Sequence, residues 1–146
     1  MELASEDLRK SATVMEAVGW FLIIGLPAAL FAYPAGFLWG DANLPVVSMP
    51  HPQSPYDGLH PYLFMLGAVY LAWAILLIRG ARDPRANAAL FDWGILANLL
   101  HGIVMVPQAF YYPNEIAHMW ADIPLVFVLC LVLWIYHPNR LAMKTT

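Results

Sequence analysis

His101, His118 and Asp122 are ionisable side chains set within long apolar runs, and Asn98, Met105 and Gln108 accompany them at helical spacing. An imidazole or carboxylate inside hydrocarbon is costly. Such residues mark ion or substrate sites, proton relays, or polar fastenings between helices. At about 100° per residue, Gly94, Ala97, Asn98, His101, Met105 and Gln108 share one face of a helix, with most Leu, Ile, Val and Phe elsewhere. On the following apolar run Glu115, His118 and Asp122 share a face, His118 and Asp122 standing one turn apart.

Counting from the turn at Pro113 at about 1.5 Å per residue puts Gln108 and His118 roughly 5 Å below the outer surface, and His101 and Asp122 roughly 10–15 Å below it. The matching levels predict hydrogen bonds between Asp122 and His101 and between His118 and Gln108. Three chemistries stay open. The polar groups can satisfy one another and fix a helix hairpin. His101, His118 and Asp122 can ligate a transition metal ion such as zinc, iron or copper, with Met105 or Gln108 nearby. Asn98, His101, Met105, Gln108, His118 and Asp122 can line a proton or small-ligand pocket. No HExxH or comparable signature backs the metal reading.

Other candidates carry less. Met49, His51, Asp57 and His60 lie in a proline-rich segment without a recognised ligand spacing and read as solvated loop residues. Asp92 is expected to pair with Arg82 or Arg85 at the membrane surface. No phosphate-binding glycine loop, serine elbow or kinase set is present, so the sequence assigns no enzyme reaction.

The elements that must position these residues are membrane helices. The chain is 61% hydrophobic and 12% charged, against about 45–50% and about 25% in soluble domains. Four apolar stretches approach the roughly 20 residues that cross a bilayer: Val14–Leu38, Pro61–Ile78, Ala88–Tyr111 and Ile116–Tyr136. All 7 basic residues fall on one side of a four-span arrangement: Arg9 and Lys10, then Arg79, Arg82 and Arg85, then Arg140 and Lys144. The positive-inside rule makes that side the cytoplasm. Trp39, Tyr62, Tyr111 and Tyr112 then mark the outer boundary, and Trp20, Trp93, Trp134 and Tyr136 the inner one. The expected architecture is one all-α domain over 1–146, an integral membrane antiparallel four-helix bundle with both termini cytoplasmic in the plasma (inner) membrane, and an exterior proline-rich loop over 39–60. Gly25, Pro27, Pro34 and Gly36 predict a bend or unwound turn in the outer half of the first span.

The single Cys130 excludes an intramolecular disulfide, the net charge of -3 gives no reason to expect nucleic acid, and the mixed-charge opening argues against a cleavable signal. Partners are the lipid bilayer and either further copies or a larger membrane complex, met through small residues such as Ala28, Ala32, Gly67 and Ala68.

The pieces PYLFMLGAVY, ARDPRAN, HGIVMVPQA and HMWADIP, from Pro61 to Pro124, resemble a group of small uncharacterised bacterial multi-pass membrane proteins. The resemblance falls on Arg82, Asp83, Pro84, His101, Gly102, Gln108, His118, Asp122 and Pro124. It supports the fold and these residues as a unit and implies no reaction. The expected function is an accessory or ligand-binding subunit of a membrane complex. The alternatives are a metal-binding redox protein or membrane metalloenzyme, and a transporter of a small solute, for which the broken first span argues.

Overall fold

The computed structural model describes the backbone of residues 2–32, 59–111, 113–120 and 122–143. The proline-rich loop with Met49, His51 and Asp57, the outer end of the first span with Pro34 and Gly36, Trp39, Tyr112 and Lys144 lie outside the described residues. So do the side chains of Ala32, His60, Tyr62 and Glu115.

The described chain is all-helical. It comprises α1 (Glu2–Ala32), α2 (Leu59–Gly80), α3 (Ala89–Tyr111), a 3-10 segment (Pro113–Trp120), α4 (Asp122–Ile135) and α5 (Pro138–Met143). Three described stretches are long and apolar enough to cross a membrane: Glu6–Ala28, Ala89–Tyr111 and His118–Ile135; Phe64–Gly80 is a shorter apolar helix.

The helices differ in extent from the apolar stretches. The helix that carries the first stretch begins at Glu2, ahead of Val14, and runs through Pro27 as continuous α-helix. Proline removes one donor, leaving the Ile23 carbonyl without its usual partner, but the rest of the turn holds. The fourth apolar run is not one α-helix from Ile116, because the tighter 3-10 geometry persists to Trp120. Asp122 then opens α4, its Oδ1 accepting the Ile123 N–H at 3.2 Å, with Pro124 in the first turn where a missing donor costs nothing.

The connection between α2 and α3 explains the Arg-Asp-Pro motif as a turn builder. Asp83 Oδ1 accepts the Ala86 N–H at 3.1 Å, and the Asp83 carbonyl accepts from the Asn87 backbone at 3.2 Å and side chain at 2.9 Å. Pro84 is buried beneath. Asp and Pro suit this geometry because one carboxylate satisfies nearby backbone donors and a fixed φ pre-forms the turn.

α1 lies along α2, and α3 along α4. The two pairs join through α2 with α3 and through α1 with α4 and α5. Their shared core holds Met15, Val18 and Leu22 of α1, Trp73, Ala74 and Leu77 of α2, Phe91 of α3, and Leu129 and Leu133 of α4. Ser11, fully buried, donates its hydroxyl to the Tyr136 carbonyl at 2.8 Å, fastening the start of α1 to the end of α4. Ser11→Ala is expected to lower stability in detergent by about 1 kcal/mol, the net worth of one such bond, measured by thermal unfolding.

With Ser11 beside Tyr136 and Gly80 beside Met15, the described basic residues gather at one end. There Arg140 stacks its guanidinium 3.3 Å above the Trp134 ring centre. Exposed Tyr111 and Trp120 lie at the other end. Between the ends the outward surface is apolar, with Leu66 and Val69 of α2, Leu100, Ile103 and Val104 of α3, and Val128 and Leu131 of α4 all exposed. A surface this apolar asks for lipid or protein against it.

Candidate functional site

The polar stripe of α3 divides along its length. Gly94 and Asn98 are buried, Ala97, His101 and Met105 are partly buried, and Gln108 is exposed. Asn98 donates its amide to the Gly94 carbonyl at 2.7 Å, while its Oδ1, fully enclosed, has no hydrogen-bond partner among the described residues.

The expected cross-helix pairs are replaced by others. His101 Nδ1 lies 3.1 Å from the Tyr70 hydroxyl of α2. His118, buried, places Nδ1 at 2.5 Å from Asp122 Oδ2. Asp122 therefore bonds His118, one turn before it where the 3-10 segment gives way to α4, and His101 bonds Tyr70. The outcome is two polar pairs, Tyr70 with His101 between α2 and α3, and His118 with Asp122 at the start of α4.

This arrangement can hold and hydrogen-bond a small molecule, and it can keep a proton on one of several sites. As a metal centre it is incomplete: no group of three or more His, Cys, Asp or Glu that could hold a metal ion occurs among the described residues. His101, His118 and Asp122 thus share a neighbourhood without converging as three donors.

Tyr70 is the site residue that sequence reasoning passed over. A tyrosine midway along an apolar helix reads as packing, yet its buried hydroxyl needs a partner, and that need was the available signal. Trp73, one turn along, donates Nε1–H to the Leu90 carbonyl at 3.1 Å and stacks near Trp93, ring centres 5.0 Å apart.

His137 was also passed over. Its Nδ1 accepts the Asn139 N–H at 3.2 Å, which leaves the ring proton on Nε2, 3.2 Å from Asp92 Oδ1. That approach is close enough for electrostatic attraction but out of alignment for a hydrogen bond. Asp92 therefore faces His137 and not Arg82 or Arg85, both of which are exposed on the turn. The ring also sits edge-on to Phe91, centres 5.5 Å apart. His137→Ala is expected to cost about 1–2 kcal/mol by uncapping α5 and to speed hydrogen exchange over Pro138–Met143. Asp92→Asn should cost less, since the Asp92 side chain is 71% exposed.

No curated protein and no solved structure matches this chain. A family model described as a family of unknown function (DUF6632) matches residues 13–140. The match takes in the first helix from residue 13 and the proline-rich segment, both outside the stretch on which the sequence resemblance rested. Covering nearly the whole chain, it shows that the chain belongs to the family of unknown function DUF6632.

Proposed function

We propose that this chain is a small four-span protein of the plasma (inner) membrane, an antiparallel bundle with both termini in the cytoplasm, acting as an accessory or ligand-binding subunit of a membrane complex. α2, at 22 residues, would be the remaining span, since about 33 Å of helix exceeds the roughly 30 Å hydrocarbon thickness. The basic residues gathered at one end support the orientation. A membrane-impermeant maleimide should label Gln53→Cys but not Thr146→Cys in intact cells, both in a Cys130→Ser background.

The observation that carries the ligand-binding reading is the two polar pairs, Tyr70 with His101 and His118 with Asp122, set among apolar helices, the second a buried imidazole held by a carboxylate. Polar groups within apolar spans are costly unless they fasten helices or serve a ligand. The partly buried Met105 and the Asn98 acceptor, which has no partner among the described residues, favour a ligand.

Native mass spectrometry of protein purified in mild detergent, with elemental analysis and an optical spectrum, tests this reading. The expected result is a co-purified organic molecule on the wild type that is lost from a folded His101→Ala, His118→Ala variant. A bare, colourless, metal-free protein would reduce the cluster to a helix fastening. Stoichiometric metal lost in the variant would transfer the site to the metalloprotein reading.

A further inference from the structure

The seam between α2 and α3 closes upward from their connecting turn and then opens. Trp73 fills its lower part, held by the Leu90 carbonyl and by Trp93. One turn further along α2, Tyr70 lies 6.1 Å from Trp93 by ring centres and reaches His101 at 3.1 Å. Above that rung both helices carry exposed side chains: Leu66, next on the Tyr70 face of α2, is 45% exposed, and Gln108 on the His101 face of α3 is exposed as well. The partly buried Tyr70 and His101 thus form a polar floor at the inner end of this exposed stretch, the mouth of the seam.

We propose that this mouth takes a bilayer-soluble ring compound bearing carbonyl or phenolic oxygens, of the quinone and quinol class, with its head on the Tyr70–His101 pair and its apolar tail along Leu66. The proposal rests on the ligand-binding reading above and names the chemistry of its ligand.

The pair has two forms. With Tyr70 donating to Nδ1, His101 carries its proton on Nε2 and offers a donor to a carbonyl oxygen. With Nδ1–H donating to the Tyr70 oxygen, Nε2 becomes an acceptor for a phenolic hydroxyl. A change of the His101 tautomer, with the Tyr70 hydroxyl turning from donor to acceptor, thus adapts the pair to either ligand form. Tyr70 and Trp93 add aromatic faces suited to a flat ring. Asn98, one turn below His101 on α3, adds a buried acceptor without a partner among the described residues. Charge disfavours the other membrane-soluble candidates. The described basic residues stand at the end of the helices beside Ser11 and Tyr136. Carboxylate and phosphate headgroups would therefore find no basic counter-charge beside the pair among the described residues.

The test is a titration of detergent-purified protein with a decyl-substituted benzoquinone, read as quenching of tryptophan fluorescence. Trp73 and Trp93 border the floor, so occupancy should quench saturably. Tyr70→Phe should raise half-saturation about tenfold, the loss of roughly one hydrogen bond. Leu66→Trp, at an exposed position that leaves folding intact, should raise it also by narrowing the mouth. Leu131→Ala, on the outer face of α4, should leave it unchanged. Quenching that rises linearly and identically in all four proteins would overturn the proposal. If the wild type still carries a molecule by native mass spectrometry, that result removes the quinone class and spares the ligand-binding reading. A bare protein with linear quenching removes both.

Discussion

Gly94→Val is expected to be the most damaging single substitution in the chain, destabilising it by about 2–3 kcal/mol through overpacking. A side chain at Gly94 would run into the Trp73 ring and into Leu133 Cδ1 at 2.8 Å. The indole cannot retreat without cost, since its Nε1–H is committed to the Leu90 carbonyl and its faces to Tyr70 and Trp93. Gly102 makes the internal comparison. A Cβ there meets Phe127 Cζ at 2.6 Å, but Phe127 is only partly buried and has no hydrogen bond to lose. Gly102→Ala should therefore cost less than Gly94→Ala. Thermal unfolding of both in one detergent checks the order, and equal losses would mean that the indole is less firmly held than its contacts imply.

Asp122→Ala is the second large effect, an expected loss of about 2–3 kcal/mol. It strips the buried His118 of its carboxylate, and it removes the acceptor for the Ile123 N–H where the 3-10 segment becomes α4. Asp122→Asn keeps the oxygen that accepts from Ile123 and should recover part of the loss. A double-mutant cycle with His118→Ala should return a coupling of about 1–2 kcal/mol. Additive losses would show that Asp122 acts through the helix start alone.

The periodicity of α3 made much of this legible. Gly94, Asn98 and His101 recur at helical spacing among large apolar residues, and the structure turns these three inward to differing degrees. Gln108 follows the same spacing, yet it ends exposed, as do Pro107 beside it and Phe110 and Tyr111 beyond. The i, i+4 relation of His118 and Asp122 was readable, but their partners were not. A 3-10 segment and an α-helix accommodate the same short sequence, and only the packing of Asp122 against the first turn of α4 decides where one ends. The extension of α1 back to Glu2 was hidden by its charges: Lys10 pairs with Glu6 at 3.1 Å on the exposed side, while Ser11 on the inner side supplies the contact that matters. Tyr70 and His137 escaped for a common reason. Each is a lone polar group whose partner lies on another helix, and sequence spacing carries no information about that distance.

The bond from Ser11 to Tyr136 spans 125 positions of the chain and so sets an order of events during synthesis. Ser11 leaves the ribosome well before Tyr136. Until α4 is complete, the hydroxyl that ends fully buried has only its own helix, through the Asp7 carbonyl at 3.3 Å, to bond with. The early pair α1 and α2 is thus assembled with one polar position waiting for the end of the chain. A nascent chain that stops short of Tyr136 carries the mark of its incompleteness at Ser11, where quality control acting on unmet polar groups in the membrane could read it.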